Sequence, residues 1–239
     1  YGLPGQTMEV WEQDLADLVK SGVDGADLYQ LNVFDGSDLN RDIASGKVPP
    51  AATTAMQGDM FEFGRTYLEA RAYRRLSAAH WSANNRERSL YNILAKAGVP
   101  MFPFGSGAGG NVDGYGMMLH RALKPYEDMV SRGEKPFMAL MKQSDLQPFV
   151  NQVVSQLEQG YLNINTLVAM DSRLDELNWL YKLWEKRGLV SYNGLLYKLT
   201  SAGEFWTVNI TQSTLEAMEY IITGKNSFAL ESVAAQDTK

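Results

Sequence analysis

The alternation of strand-like and helix-like segments over residues 1–139 is the feature that most limits how this chain can fold. Apolar periodicity, interrupted by Gly and Pro, predicts in order a helix after Thr7, a strand at 26–34, a helix at about 52–71, a strand at 73–83 and a strand at 99–104. This order is typical of proteins in which helices connect neighbouring parallel strands. The sequence therefore predicts an α/β fold built on a parallel sheet or barrel.

After about residue 140 the pattern changes to helices and one hairpin. Helices are predicted near 145–159, 171–187 and 211–222, and Asn193-Gly194 between two short apolar runs predicts a hairpin turn of type I′. Helices followed by a hairpin indicate a winged-helix-like module. We therefore expect three parts, which are an α/β domain at 1–139, a mainly helical domain at 140–225 and a mobile tail at 226–239.

The charge of the chain argues against nucleic acid as a partner. Lys and Arg number 22 against 28 Asp and Glu, which gives a formal net charge of −6. The predicted helix at 171–187 would be the recognition helix of a winged-helix module, yet its basic and acidic side chains balance to zero. Because protein surfaces that bind nucleic acids are normally basic, we interpret this module as a packing lid.

Cysteine is absent from all 239 residues, and histidine occurs only twice. Disulfides, thiolate zinc sites, cysteine nucleophiles and cysteine-ligated iron–sulfur clusters are therefore excluded within this chain, as is a His-rich metal site. No apolar run reaches the ~20 residues that a membrane span needs. The chain opens on Tyr1-Gly2-Leu3-Pro4 instead of Met and shows no signal or transit peptide. We expect further residues upstream and a cytoplasmic location.

Polar or Gly-rich groups stand at three places where α/β proteins bind ligands. Gln6 precedes the first helix, Asn32 lies on the next predicted strand, and a Gly-rich loop at 105–111 follows the last one. Ligands lie at the C-terminal ends of strands in such folds, so we expect these groups to meet one ligand. Two alternatives stay open: Gln30 and Asn32 face solvent instead of a barrel lumen, and the loop is a flexible crossover instead of a cofactor loop.

A family resemblance begins with Tyr1-Gly2-Leu3-Pro4-Gly5-Gln6-Thr7 and continues, after one helix, with Asp24 and Tyr29-Gln30-Leu31-Asn32-Val33. These residues are similar to the later half of the catalytic barrel of radical S-adenosylmethionine enzymes related to anaerobic coproporphyrinogen III dehydrogenase. The loop at 105–111 resembles the Gly-rich element that supports the adenine of S-adenosylmethionine in that superfamily. The resemblance covers roughly residues 1–222.

Two further segments narrow the resemblance to one branch. Residues 73–111 and the ending Leu199-Thr200-Ser201-Ala202-Gly203-Glu204-Phe205-Trp206 look most like the anaerobic heme-degrading methyltransferases of this family. The resemblance implies the second half of a partial TIM-like radical S-adenosylmethionine barrel, followed by a mainly helical, winged-helix-like C-terminal module. It also implies an activity, in which a methyl group goes to heme, the porphyrin opens and iron is released for anaerobic iron acquisition.

Two cofactors are implied by the same resemblance. Such enzymes hold a [4Fe–4S] cluster on a Cys-x-x-x-Cys-x-x-Cys motif in the first half of the barrel, and the cluster binds and reductively cleaves S-adenosylmethionine. This chain lacks the motif, so a missing N-terminal half of the barrel and an electron donor are expected partners. The S-adenosylmethionine contacts carried over from the family are Gln6, Asn32, Gly105, Gly107, Gly110 and Asn111. No catalytic residue and no metal ligand is assigned.

Heme is the implied substrate, and one segment carries groups suited to it. His80 could ligate the iron, and Arg74 and Arg75 could bind the two propionates, because a guanidinium recognises a carboxylate through two hydrogen bonds. The alternatives are a structural, hydrogen-bonded His80 and a solvated basic surface.

Two other functions stay open. An oxygen-independent coproporphyrinogen III dehydrogenase would use the same fold without methyl transfer, and a non-catalytic heme-binding or trafficking protein would need only the porphyrin site. Heme chaperones related to the family carry a His-Asn-x-x-Tyr motif. Here Glu87-Arg88-Ser89-Leu90-Tyr91 stands at the matching position, which counts against a chaperone.

The absence of cysteine leads to a testable expectation. Anaerobic reconstitution of this 239-residue chain with iron and sulfide should leave it without a stoichiometric [4Fe–4S] cluster, because the usual thiolate ligands are missing. Iron and sulfide per chain, together with the visible absorption spectrum, measure the outcome. A stable cluster at one per chain would contradict the expectation.

Overall fold

The computed structural model describes residues 1–225, which form two compact units whose segments interleave along the chain. The first unit contains Tyr1–Ser89, Gln159–Tyr161 and Tyr181–Ile210. The second contains Leu90–Glu158, Leu162–Leu180 and the described residues from Thr211 onwards. The domain boundary between residues 139 and 140 stays a prediction, and the predicted mobile tail lies outside the described residues. Within those residues, no helix is long and apolar enough to cross a membrane.

The described part of the chain forms α-helices and short strands. The helices are α1 (Met8–Ser21), α2 (Asp38–Ala44), α3 (Thr54–Glu69), α4 (Leu90–Lys96), α5 (Leu123–Ser131), α6 (Gln147–Glu158), α7 (Ile164–Val168), α8 (Leu177–Lys186), α9 (Ser201–Phe205) and α10 (Thr207–Thr223). The strands are β1 (Gly25–Asp27), β2 (Arg74–Arg75), β3 (His80–Ser82), β4 (Gly109–Val112), β5 (Tyr115–Leu119), β6 (Phe137–Lys142), β7 (Tyr161–Leu162), β8 (Val190–Tyr192) and β9 (Tyr197–Leu199). A 3-10 turn at Ser172–Glu176 precedes α8.

The strands of the described residues form three three-stranded sheets, and none of these closes into a barrel. The strand orders are β1-β3-β2, β4-β5-β6 and β7-β9-β8. Every pair whose register is defined is antiparallel. The α/β class is confirmed, whereas the predicted parallel pairing does not occur among these named strands. Short connections join β2 to β3 and β4 to β5, and parallel neighbours need a crossover of about a dozen residues or more.

Helix α1 begins and ends as its sequence predicts. The Thr7 Oγ1 accepts a hydrogen bond from Val10 N at 3.3 Å, and Gly22 ends the helix with a φ of 70°. Trp11 and Leu15, spaced on one helical face, are buried. The helices predicted at about 52–71, 145–159, 171–187 and 211–222 are also present, as α3, α6, α8 and α10 with bounds shifted by a few residues.

The strand predicted at 26–34 is mostly wrong. Strand β1 includes only its first part, and the residues that follow are extended without belonging to one sheet. Leu28 N donates to Ala79 O at 2.9 Å, whereas Leu31 N donates to Tyr1 O at 2.9 Å. The backbone thus changes its partner within three residues, which a local hydrophobic pattern does not report.

The strand predicted at 99–104 is also wrong. Met101 alone bridges to Asn111 in this segment of the described chain. Pro100 and Pro103 have no N–H to donate to a sheet, which prevents a regular ladder.

Three hairpins are present: one replaces a predicted strand, one was missed by the sequence analysis and one was predicted. The segment predicted as one strand at 73–83 forms two, β2 and β3. Asp113-Gly114, which sequence analysis missed, joins β4 to β5 with φ values of 50° and 76° that suit a type I′ turn. The hairpin at Asn193-Gly194 is confirmed as β8 and β9, but its loop spans residues 193–196. The predicted type I′ turn is wrong there, because Asn193 does not have a positive φ.

The core of the first unit lies between α1 and α3. Its buried side chains are Trp11, Leu15, Met60, Leu68, Tyr73 and Trp81. The apolar stripe of α3 belongs to this cluster or packs on it, as its helical spacing indicates; the stripe is Met56, Met60, Phe63 and Tyr67. The indole of Trp11 donates to Met60 O at 2.8 Å and lies so close to Gly64 that an added Cβ would be 3.0 Å from the ring.

The Leu-Thr-x-x-Gly-Glu-Phe-Trp ending has a packing role. Thr200 caps α9 by accepting a hydrogen bond from Gly203 N at 3.1 Å. Gly203 in turn packs directly on neighbouring backbone, because an added Cβ would lie 1.9 Å from Leu189 O. The first turn of α9 therefore requires a residue without a side chain.

Gly203→Ala should lower the free energy of unfolding by about 1–3 kcal/mol, because the added methyl group overpacks this backbone contact. Gly58→Ala is the matched control on α3, where an added Cβ would meet the ring of Phe205 only at 4.0 Å. The control should equal wild type or exceed it by up to about 1 kcal/mol, since alanine favours a helix more than glycine does. Urea unfolding measures both variants, and equal stabilities would contradict the packing role.

Candidate functional site

The turn Gly2–Gln6 is shaped by the buried side chain of Gln6. Its Oε1 accepts hydrogen bonds from Gly2 N at 2.8 Å and Leu3 N at 3.2 Å, and its Nε2 donates to Asp14 Oδ2 at 2.8 Å. Both ends of the amide are therefore bonded within the protein, and Gln6 determines the conformation of the turn. Its predicted contact with a cofactor stays a prediction.

A second amide pair ties the segment before Asn32 to α3. The Gln57 Oε1 accepts a hydrogen bond from Gln30 Nε2 at 2.8 Å, and the Gln57 Nε2 donates to Leu31 O at 2.9 Å. Gln30 thus has a partner in the protein, which is neither of the alternatives left open by the sequence. Gln57 itself was missed. The sequence feature that could have identified it is an amide side chain three positions before the buried Met60, on the apolar face of α3.

The segment that begins at Tyr1 and the segment Tyr29–Leu31 run side by side. Tyr1 N donates to Tyr29 O at 2.6 Å, and Leu31 N donates to Tyr1 O at 2.9 Å. Bonds that alternate in this way are those of parallel neighbouring chains. The turn Gly2–Gln6 and Asn32 therefore follow these paired segments in the same direction, and their contact with one ligand stays a prediction.

Asn32 is exposed, and within residues 1–225 its side chain forms no hydrogen bond. Of the two alternatives for Asn32, the solvent-facing one describes its position in this chain. An exposed amide offers two N–H donors and one carbonyl acceptor. Those are the groups needed to bind the polar edge of a base or a ribose.

The Gly-rich loop at 105–111 belongs to the second unit and leads into β4. Gly105 and Gly107 have φ values of 91° and 76°, which favour glycine, and the space beside Gly105 is open. Gly107 N and Ser106 Oγ both donate to His120 O, at 2.9 Å and 3.0 Å. The loop is therefore held by its neighbours, while the backbone at Gly105 stays accessible to a ligand.

The end of the loop is packed against the preceding segment. An added Cβ at Gly110 would lie 2.4 Å from Met101 O, so a glycine is required there. Asn111 Oδ1 accepts a hydrogen bond from Met101 N at 3.0 Å. Gly110 and Asn111 thus hold the Met101 segment in place, and their contact with a cofactor stays a prediction.

A cavity of about 400 Å³ lies beside this loop, and its wall is aromatic and apolar. The lining residues are Tyr91, Met101, Phe102, Pro103, Phe104, Ala108 and Gly109. The size of this aromatic recess and the rings at its edge suit a flat heterocycle. Gln6 and Asn32 lie in the first unit and the loop in the second, so their sharing of one ligand stays a prediction.

His80 lies between two carboxylates of the first unit. Its Nδ1 is 2.8 Å from Asp27 Oδ1, and its Nε2 is 3.3 Å from Glu87 Oε1, at ion-pair distance but without hydrogen-bond geometry. The backbone N–H of Ser89, assisted by His80, holds the pKa of Glu87 below its usual range. Ligation of a heme iron through Nε2 would require Glu87 to move aside, whereas the contact of Nδ1 with Asp27 could remain, and that role stays a prediction.

The two arginines predicted to bind propionates differ in their surroundings. Arg75 Nη1 lies 2.9 Å from Glu204 Oε1, and the two side chains are 11% and 19% exposed. Burial raises the pKa of Glu204, and the charge of Arg75 opposes that shift. Arg74 is exposed and donates to Asn85 Oδ1 at 2.8 Å. Arg75 therefore connects β2 to α9, whereas Arg74 is accessible to an anionic ligand.

The residues of this chain fit the two implied cofactors unequally. Residues 1–225 contain no group of three or more His, Cys, Asp or Glu that could hold a metal ion, and the whole chain lacks cysteine. A [4Fe–4S] cluster therefore does not fit. In the first unit, the exposed amide of Asn32 offers donors and an acceptor for the polar groups of a nucleoside. In the second unit, the open backbone at Gly105 and the aromatic recess suit a flat base. Each unit thus carries groups that suit S-adenosylmethionine, and its binding stays a prediction.

Comparison with known proteins gives partial matches. No protein-family model matches the chain. It is 32% identical to the anaerobilin synthase of Escherichia coli O157:H7 over 222 residues, which is 92% of this chain. It is 31% identical to the mitochondrial radical S-adenosyl methionine domain-containing protein 1 of Mus musculus over 35% of the chain and 19% of that protein. The Danio rerio protein of the same name is 30% identical over 46% of the chain and 24% of that protein.

Among solved structures, the coproporphyrinogen III oxidase (HemN) of Escherichia coli, described as a radical SAM enzyme, matches 90% of this chain. The TM-score is 0.68 and the sequence identity 16%, so this likeness shows the fold alone. The chain spans about half the length of these relatives, with 49% of the anaerobilin synthase and 53% of the coproporphyrinogen III oxidase covered.

The Arg75–Glu204 pair can be tested by removing one partner or both. Arg75→Met leaves the largely buried Glu204 carboxylate without its cation and should cost about 2–3 kcal/mol of unfolding free energy, less than the ~3–5 kcal/mol of a fully buried pair. Arg75→Met combined with Glu204→Met should recover most of that loss. Arg74→Met, which alters an exposed side chain, is the control and should be near neutral. Urea unfolding at neutral pH that shows equal losses for the single and double variants would contradict the pairing.

Proposed function

We propose that this chain, which is homologous to the radical S-adenosylmethionine enzymes related to coproporphyrinogen III oxidase, is part of an enzyme that methylates heme and opens the porphyrin ring without oxygen, releasing iron. The observation that carries the proposal is the 32% identity to an anaerobilin synthase along 92% of the chain. The match in fold to coproporphyrinogen III oxidase supports the wider family. A role in anaerobic iron acquisition and a cytoplasmic location belong to the proposal.

S-adenosylmethionine is the cofactor that this chain would help to hold, and when bound it supplies the transferable methyl group and, on reductive cleavage, a radical. Asn32 would bind its polar groups through the exposed amide. Gly105 and Gly107 would let the backbone approach the adenine, and the aromatic recess would shield the base from water. Gln6 would act through the turn, whose backbone it holds at Gly2 and Leu3.

The [4Fe–4S] cluster of this family has no ligands here, because the chain contains no cysteine. We place those ligands in a part of the complete enzyme outside these 239 residues. The half-length match to the relatives is consistent with such a part. An electron donor is a further partner, and no step of the chain's own chemistry is assigned through the cluster.

Arg74 is the exposed candidate for heme binding, and its guanidinium would form two hydrogen bonds with a propionate carboxylate. Arg75 would contribute indirectly, because its pair with Glu204 holds strand β2, which also carries Arg74, in place. His80 would reach the iron through Nε2 only after Glu87 moves away, and Asp27 would keep its contact with Nδ1.

The function is tested with the complete, cluster-loaded enzyme, incubated without oxygen with heme, S-adenosylmethionine and a reductant. We expect a methylated, open-chain tetrapyrrole and released iron, which mass spectrometry and an iron assay detect. Omission of S-adenosylmethionine is the control and should leave heme intact. Bound but unchanged heme would contradict the proposal in favour of a trafficking protein. Oxidation of coproporphyrinogen III without any methylated product would contradict it in favour of the dehydrogenase.

A further inference from the structure

Gln57 contacts both chain segments that end at the proposed S-adenosylmethionine contacts. Its Nε2 donates to Leu31 O at 2.9 Å, and its Oε1 accepts from Gln30 Nε2 at 2.8 Å. The same side chain packs on Gly2, where an added Cβ would lie 2.6 Å from Gln57 Nε2. Gly2 begins the turn that Gln6 holds. The side chain of Gln57 therefore links the turn Gly2–Gln6 to the segment that leads into the exposed Asn32.

Gln57 is buried, and its two hydrogen-bond partners together require an amide side chain. It lies in the first turn of α3, its backbone N donates to Thr53 O at 2.9 Å, and it is only 6% exposed. A buried polar group that loses its hydrogen-bond partner destabilises the fold. Leu31 O needs a donor and Gln30 Nε2 needs an acceptor, and glutamine offers both at the end of one flexible side chain.

We propose that Gln57 is a positioning residue for S-adenosylmethionine. By bonding to Leu31 O and packing on Gly2, it determines where the exposed amide of Asn32 stands relative to the turn Gly2–Gln6, and it does so without contacting the cofactor. The inference rests on the proposed function, because it requires S-adenosylmethionine to bind beside Asn32 and the turn Gly2–Gln6.

The test is the affinity of the complete, cluster-loaded enzyme for S-adenosylmethionine, measured by equilibrium dialysis beside a thermal melt. Gln57→Met should weaken binding about tenfold, which corresponds to about 1.4 kcal/mol. Gln156→Met is the matched control. That glutamine is 5% exposed, donates to Thr166 Oγ1 at 3.0 Å and accepts from Asn163 N at 2.8 Å, but it lies on α6 in the second unit. The control should lower the melting temperature similarly and leave the affinity unchanged.

Two further variants separate positioning from general damage. Asn32→Ala combined with Gln57→Met should weaken binding no more than the stronger single variant, because both changes act through one contact. Gln57→Glu keeps the acceptor for Gln30 and, while ionised, loses the donor to Leu31 O. Its affinity relative to wild type at the same pH should recover as the pH falls and the introduced carboxyl is protonated.

The outcomes distinguish this inference from the proposed function. A wild-type enzyme that does not bind S-adenosylmethionine would overturn both. Wild-type binding together with an unchanged affinity of Gln57→Met would overturn the inference alone, as would an equal loss in Gln156→Met or additive losses in the double variant. If Gln57→Met does not fold, the Gln57→Glu profile decides, and a profile parallel to wild type overturns the inference.

Discussion

A buried amide needs both a donor and an acceptor, and this requirement organises the candidate site. Gln57 meets it through Gln30 and the backbone of Leu31, and Gln6 meets it through the backbone of its own turn and Asp14. Because both glutamines have their hydrogen-bond partners inside the protein, the turn Gly2–Gln6 and the segment before Asn32 are held without a ligand. A cofactor would meet groups that are already arranged, which reduces the ordering cost of binding.

Charged groups follow the same rule, since most of them have protein partners. Arg75 pairs with Glu204, and His80 lies between two acids. These partners explain why a basic segment in the sequence does not become a single basic surface in the fold. Of the three residues predicted to bind heme, Arg74 is the one that is exposed, while Arg75 on the same strand pairs with Glu204.

The similarity of this chain to known enzymes is limited to part of their fold. It shares its fold with coproporphyrinogen III oxidase over about half of that enzyme, yet the described strands close no barrel and no cysteine is present. Closing a barrel requires every strand edge to find a partner. Barrel closure and cluster ligation therefore belong to the proposal of a larger enzyme, and the cofactor and heme contacts of this chain stay predictions.

The sequence by itself determined the helices α1, α3, α6, α8 and α10, the cap at Thr7, the exclusion of a cysteine-ligated cluster, and the family resemblance. These features depend on residues a few positions apart or on residue identity alone. Only the tertiary structure decided that the strands pair antiparallel, that Asn32 is exposed, and that Gln57 and Arg75 have the partners they do. Hydrogen bonds and ion pairs join residues far apart in the chain, and packing of the whole unit selects which segments become neighbours.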